Sequence, residues 1–397
     1  MKLDTLAVHA GDRKKPGPFV PVATPIYSSA SFFYPEMETL DKVFGGEIQG
    51  QNYTRYNNPT TNALEEQIAA LEGADWAMAT SSGMAALNLA VSAALTDRHK
   101  SIVAGPVLYG ASLRLLMEIL EPAGVAVHFA DPNDPAALEA AVAEHKPACV
   151  VVESVTNPML RVTPLDTVAG IAHRHGALVV VDSTFATPLL VRPLSLGADL
   201  VIHSLTKYLG GHGDVLGGVV ATRQEFRPVM QAISRITGGI LGPFESYLAM
   251  RGIKTFPLRM ARQCANACRV ATWLAQHPRI ARVIFPGDPQ HPDAAVARRL
   301  FPAGLYGAMV SFEVDGAGRQ EIFDLLNSLR LIVPATSLGD VHSMILYPPM
   351  SSHREIAPKQ RQRMGISDSF LRLSVGIEAP EDIIGDLEQA LVERASA

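Results

Sequence analysis

Cysteine is scarce in this chain: 397 residues hold three, Cys149, Cys264 and Cys268. Three cannot build a disulfide framework, so a buried core must hold the fold, and the expected compartment is the cytoplasm. Cys264 and Cys268 fall four apart on an expected helix with no clustered third ligand. They read as buried free thiols, and no metal is expected. Charge is sparse too, at 18% of residues, and the net charge is −5. Without a basic cluster, nucleic acid is not an expected partner. The longest apolar stretch, Met84 to Leu95, is broken by Asn88 and Ser92 and is too short to cross a bilayer. Met1-Lys2-Leu3-Asp4-Thr5-Leu6 has no apolar segment, so neither a signal peptide nor a membrane association is expected.

Apolar residues are plentiful, at 48%, ample for sizeable cores. So many apolar and so few charged residues suggest an apolar surface patch, hence an oligomer interface. The length exceeds that of a usual single domain and predicts two domains plus an extension. Residues 1–55 read as an irregular arm, because Pro16, Pro18, Pro21, Pro25 and Pro35 forbid long helices. Such an arm needs another surface, plausibly that of a neighbouring subunit. Residues 56–250 alternate short β-branched runs with helical stretches of 10 to 15 residues. Strands are expected at 76–80, 101–104, 125–129, 149–152, 178–181 and 200–202. The helices between them fall at 62–71, 83–95, 112–120, 135–144 and 165–175. This is the pattern of βαβ units and a mainly parallel sheet covered on both faces, an α/β fold. Residues 251–397 change texture, with helices at 255–276, 320–328 and 380–393 and strands at 309–314 and 370–375. They predict a smaller α+β C-terminal domain.

In such sheets, ligands sit beyond the carboxyl ends of the strands. Four of these ends carry polar residues. Ser82-Gly83-Met84 joins a strand to an apolar helix, where free N–H groups favour an anion such as a phosphate. By itself, Ser82 reads as an ordinary helix cap. Asn157, before Pro158, can bond a ring hydroxyl or a carboxylate, and is otherwise a turn residue. Asp182 ends Val179-Val180-Val181, where a carboxylate needs a cation or donors. A protonated pyridine nitrogen is such a cation; a helix cap or a structural ion pair would also serve. Lys207 follows the last strand in Ser204-Leu205-Thr206-Lys207, ahead of Gly210-Gly211. A partly desolvated lysine has a lowered pKa and becomes a nucleophile and base. Ser204 and Thr206 offer hydroxyls to a phosphate. Together the four ends outline a pyridoxal 5'-phosphate site, with Lys207 forming the Schiff base. A nicotinamide enzyme would share the alternation, but no Gly-x-Gly-x-x-Gly follows an early strand, and nothing there accounts for Lys207.

These residues resemble those of the Cys/Met metabolism group of fold-type I pyridoxal phosphate enzymes, from Thr5 to Leu391. The segments that carry the likeness are Tyr53-Thr54-Arg55-Tyr56-Asn57-Asn58-Pro59-Thr60, Ser81-Ser82-Gly83-Met84-Ala85-Ala86, Val181-Asp182-Ser183-Thr184-Phe185 and Ser204-Leu205-Thr206-Lys207-Tyr208. Ser337-Leu338-Gly339 and Leu371-Arg372-Leu373-Ser374-Val375-Gly376 resemble its substrate segments. The group contains cystathionine γ-synthase, cystathionine γ-lyase, methionine γ-lyase and the O-acylhomoserine sulfhydrylases.

The resemblance implies γ-elimination or γ-replacement on sulfur amino acids or O-acylhomoserine. It implies that Lys207 carries the cofactor and shuttles protons, and that Asp182 pairs with the pyridine nitrogen. Tyr109 would stack on the ring and assist proton transfer. Ser82, Gly83, Met84, Ser204 and Thr206 would hold phosphate, and Tyr53 and Arg55 would reach the phosphate of a neighbouring subunit. Arg372 would fork onto the substrate α-carboxylate, with Asn157, Ser337 and Tyr53 beside it. A homotetramer of two active-site dimers is implied. The resemblance aligns Asn52 and His342 with the positions where cystathionine lyases of the group carry acids. A non-catalytic binding protein on the same fold would lack Lys207, Asp182 or Arg372, and all three are present.

Overall fold

Seven strands form the larger sheet: β1 Trp76–Thr80, β2 Ser101–Ala104, β3 Ala126–Phe129, β4 Cys149–Glu153, β5 Leu178–Asp182, β6 Leu200–Ser204 and β7 Gly218–Thr222. The computed structural model describes residues 1–14, 18–351, 354 and 357–392; Pro16 of the arm and Glu393 of the last helix lie outside them. The strand order is β1-β7-β6-β5-β4-β2-β3. β2 to β6 run parallel, whereas β7 is antiparallel to both β1 and β6. The expected mainly parallel sheet is therefore present, with one reversed strand that the alternation did not predict. β7 follows β6 without an intervening crossover helix, so nothing forces it to run parallel.

The runs Val150-Val151-Val152 and Val179-Val180-Val181 are buried on both faces. One face packs against Leu64, Ile68, Val168 and Ile171, the other against Leu87, Leu89, Ala90 and Val91. Burial on both sides is why the strands read as continuous apolar runs rather than alternating ones.

The stretch read as irregular contains two short helices, α1 Leu3–His9 and α2 Met37–Phe44. α1 lies on the chain's own body. Ala7 is fully buried, and its carbonyl accepts from Gln67 Nε2 of α3, Pro59–Glu72. Asp12 then pairs with Lys254 and accepts from Thr24. The start of the arm is thus fastened to its own subunit.

A second sheet contains β8 Ile280–Ile284, β9 Met309–Val314, β10 Val333–Pro334, β11 Met344–Leu346 and β12 Phe370–Ser374, in the order β10-β11-β12-β9-β8. Helices Arg319–Ser328 and Pro380–Val392 cover it through Ile322, Leu325, Ile383 and Leu387. Helix Phe256–Leu274 joins the two cores. Phe256, Met260 and Cys264 belong to the first, and Ala267, Val270, Ala271 and Leu274 to the second. Cys264 and Cys149 are buried as expected; Cys268 is exposed, because it sits on the outer face of that helix. No helix among the described residues is long and apolar enough to cross a membrane.

Candidate functional site

The carboxyl ends of β4, β5 and β6 gather the polar residues. After β6 the chain makes one wide turn, Leu205–Leu209, closed by Gly210 N–H donating to Leu205 O at 2.9 Å. Lys207 sits inside that turn with non-helical backbone angles. Its Nζ donates to Ser337 Oγ at 3.0 Å. Burial first, and then the nearby Arg372 charge, push its ammonium down to about 8. Such an amine gives up its proton near neutrality, as a nucleophile and base must.

Ser337 also connects Lys207 to the second sheet. Its carbonyl accepts from Arg372 Nη2 at 3.3 Å, and Arg372 Nη1 donates to Asn157 Oδ1 at 2.8 Å. Arg372, on β12, is 3% exposed, and its Nε is buried without a partner. Among the described residues no carboxylate lies within ion-pair distance of it. A buried cation satisfied only by neutral acceptors suits a carboxylate supplied from outside. Burial lowers its pKa to about 10, which still leaves it charged at neutral pH.

Ser82 caps α4, Gly83–Leu95, with its Oγ accepting from Ala85 N–H at 3.1 Å. The N–H groups that open a helix have no intrahelical acceptor and face an incoming anion. Gly218, at the start of β7, makes room for this turn, since a Cβ there would lie 2.2 Å from Ser82 O. Ser204 lies against Gly83. Thr206 Oγ1 accepts from Gly217 N–H at 3.1 Å and donates to Gly217 O at 3.4 Å, a long bond that a phosphate oxygen can replace. Met84 follows in the first turn of α4. The anion seat and the lysine turn are therefore adjacent.

Asp182 accepts from Thr184 N–H at 2.9 Å and faces no basic side chain at ion-pair distance among the described residues. Desolvation holds its carboxyl above the usual range, only partly offset by Thr184 and the His203 charge. A carboxylate in that position is stabilised by a protonated ring nitrogen. Across the register, Glu153 of β4 stands opposite Asp182. It accepts from Tyr109 N–H and Asn157 N–H. The Tyr109 side chain is itself 42% exposed, free to cover a planar ring.

Lys207, Ser337, Arg372 and Asn157 thus form one hydrogen-bonded chain, with the Ser82–Met84 turn, Ser204 and Thr206 at one side. Asp182 and Tyr109 are linked to it through Glu153. Tyr53 and Arg55 stand apart. The Arg55 guanidinium lies over the Tyr53 and Tyr56 rings at 5.5 and 5.3 Å, and it bonds Arg235 O. Asn52 accepts from its neighbour's N–H, and His342 bonds Asp340 with its side chain 65% exposed.

Sequence reasoning missed Arg259. It is buried and donates to the carbonyls of Tyr208, Leu209 and Gly252, bracing the lysine turn. A signal existed, because Arg259 falls beside the apolar stripe of Phe256, Met260, Cys264 and Ala267. Gly339 was named only as part of a motif. It has φ +78°, and a Cβ there would lie 2.6 Å from Tyr208 N.

The donor set fits pyridoxal 5'-phosphate: a lysine of lowered pKa, an acid without a cation, a helix start for phosphate and a carved backbone beside it. The fold is that of fold-type I pyridoxal phosphate enzymes, and this donor set suits their cofactor. The profile of the Cys/Met metabolism PLP-dependent enzyme family matches residues 4–392, and the chain belongs to that family. It is 40% identical to an L-methionine gamma-lyase of Fusobacterium nucleatum subsp. polymorphum, with 98% of each chain covered. It is 38% identical to an O-succinylhomoserine sulfhydrylase of Pseudomonas aeruginosa, covering 98% of this chain and 94% of that one. A solved cystathionine gamma-lyase from Lactobacillus plantarum, complexed with L-serine, superposes with a TM-score of 0.90 at 36% identity over 98% of each chain. The chain is a pyridoxal phosphate-dependent enzyme of cysteine and methionine metabolism.

Proposed function

We propose that this enzyme breaks or exchanges the bond at Cγ of a sulfur amino acid or an O-acylhomoserine, in the manner of a cystathionine gamma-lyase or gamma-synthase. One observation carries the reading: Lys207 Nζ and the unpaired Arg372 guanidinium both bond Ser337. An amino acid whose α-carboxylate meets Arg372 brings its Cα to Lys207.

Bound in this site, pyridoxal phosphate supplies a covalent anchor for the substrate amino group and a sink for the electron pair released at Cα. The remaining work falls to the chain. Arg372 forks onto the α-carboxylate, and Asn157 fixes the plane of the fork. Lys207 takes the Cα proton at Nζ and moves protons along the substrate, while Ser337 aims it. Tyr109 stacks on the ring and assists with its hydroxyl. Asp182 keeps the ring nitrogen protonated. Ser82, Gly83, Met84, Ser204 and Thr206 seat the phosphate.

In this reading residues 56–250 hold the cofactor, residues 251–397 supply Arg372, and the arm of residues 1–55 serves a neighbour. Tyr53 and Arg55 then reach the neighbour's phosphate, in a cytoplasmic homotetramer of two active-site dimers, and Tyr53 also lines its substrate cavity. Exposed Phe19, Val22, Phe33 and Phe44 support a covered arm. Mixing Arg55→Ala with Lys207→Ala subunits should then restore some intact sites, and no recovery would sink the shared site.

A methionine lyase or a sulfhydrylase is the second reading, favoured by the names of the relatives and by the lack of a fixed anion at Asn52 and His342. A substrate panel on purified enzyme decides. 2-Oxobutanoate from cystathionine or methionine without added thiol marks a lyase. Thioether formed only from O-acylhomoserine with added cysteine, or thiol formed from it with added sulfide, marks a synthase or sulfhydrylase. No product from any of these would overturn the proposal.

A further inference from the structure

β4 and β5 end in acids that face each other, Glu153 opposite Asp182. Asp182 has a reading; Glu153 has none. It is 6% exposed. Its Oε1 accepts from Tyr109 N–H at 2.6 Å and its Oε2 from Asn157 N–H at 3.1 Å. These donors belong to separate loops, one after β2 and one after β4. Asn157 in turn holds Arg372 through Oδ1. One carboxyl therefore stands between the residue that covers the ring and the clamp that takes the substrate.

Packing holds part of this loop, because Leu108 is buried. Beside Leu108 lies a cavity of about 40 Å³ lined also by Pro132, Glu153 and Arg161, so close packing does not back the Glu153 bonds on that side. A buried acid also costs stability unless donors satisfy it, and here two backbone N–H groups do so. Only a side chain with two acceptor oxygens at this reach can serve both loops. The isosteric amide offers one oxygen, and turns its NH₂ against an N–H.

We propose that Glu153 is a positioning residue that couples Tyr109 to the Asn157–Arg372 clamp, holding ring cover and substrate carboxylate in one frame. The proposal rests on the reading of Lys207, Tyr109 and Arg372 as the active site.

The test uses holoenzyme, with kcat expressed per bound cofactor. Glu153→Gln should raise KM for the amino acid and lower kcat together. The combined loss in kcat/KM should approach about 100-fold, the scale of a ~1 Å misplacement. Cofactor content should stay at the wild-type value, and Tm should fall by only a few degrees, about the effect of one buried N–H losing its acceptor. Tyr109→Phe and Asn157→Ala should be coupled in the wild type and additive in the Glu153→Gln background. Wild-type kcat and KM per bound cofactor would overturn the proposal. So would a loss confined to Tm or cofactor content, which would make Glu153 a structural acid. If Glu153→Gln does not fold, hydrogen exchange of wild-type holoenzyme decides. The amides of Tyr109 and Asn157 should be protected together, and loop-like exchange at either overturns the coupling. A Lys207→Ala enzyme with normal turnover would instead sink the active-site reading, whatever Glu153 does.

Discussion

The two sheets bury cations of opposite character, and the two meet at Ser337. The larger sheet contributes Lys207, whose ammonium burial has brought down to about 8. The smaller sheet contributes Arg372, which burial lowers only to about 10. Desolvation acts on both, yet the outcomes differ. A lysine starts low enough to lose its proton when buried, whereas a guanidinium stays charged. One sheet thus supplies a proton that moves and the other a charge that does not. Placing them side by side separates chemistry from binding within a single site.

The sharpest way to break this contrast is to remove the mobile proton. Lys207→Ala is expected to lower turnover by at least about 10⁴-fold, since the amine serves as both attachment point and base. Steady-state rates and the yellow cofactor absorbance measure it. A rate within tenfold of wild type would remove Lys207 from the chemistry.

The same lysine has a signature in the cofactor-free protein. Its folded pKa lies below its unfolded value of 10.5, so the unfolded chain binds more protons between about 8 and 10.5. Stability should therefore rise with pH through that window. The penalty is full below pH 8 and gone above 10.5. Compared with Lys207→Met, the apo wild type should gain about 3 kcal/mol across it. Urea melts at several pH values test this, and parallel curves for the two proteins would show that Lys207 carries no burial penalty.

Replacing the fixed charge should act on binding. Arg372→Lys keeps a cation but loses the planar fork and the bond to Asn157 or Ser337. A bond to a charged group contributes about 1.5–3 kcal/mol, so KM should rise about 10- to 100-fold for every amino acid tested. Cofactor absorbance should not change. An unchanged KM would leave the α-carboxylate without its proposed partner.

Most of the larger sheet was legible because its strands are buried on both faces and separated by helices. β1 and β2 fall where the apolar runs place them, and so does β9 of the smaller sheet. Lys207 and Asp182 were legible because polar groups stand out at the end of such runs. β7 was not, since a reversed strand leaves no crossover helix to announce it. β10 and β11, two and three residues long, have too few side chains to show a period. Glu153 directly follows Val152, as Asp182 follows Val181, so its signal was present. Its partners were not, because they are backbone groups of two distant loops. Arg259 was hidden in the same way: a helix was legible there, but not the carbonyls its guanidinium would meet.

His342 provides the smallest expected effect and the finest test of the contrast. Like Arg372 it lies within residues 251–397, but its side chain is 65% exposed and, among the described residues, paired only with Asp340 at 3.2 Å. Exposed ion pairs contribute about 0–1 kcal/mol, because water screens them and the side chains lose freedom in forming them. His342→Ala should therefore change kcat/KM less than about 5-fold for methionine and O-acylhomoserine. Cystathionine is the informative exception, since it alone in the panel carries a distal ammonium. If His342 does not touch the distal ammonium, its removal should leave cystathionine unharmed as well. A loss confined to cystathionine would mean that an imidazole nitrogen of His342 accepts from that ammonium. The residue would then be part of substrate choice despite its exposure, and burial would not be what separates functional from ornamental charges at this site.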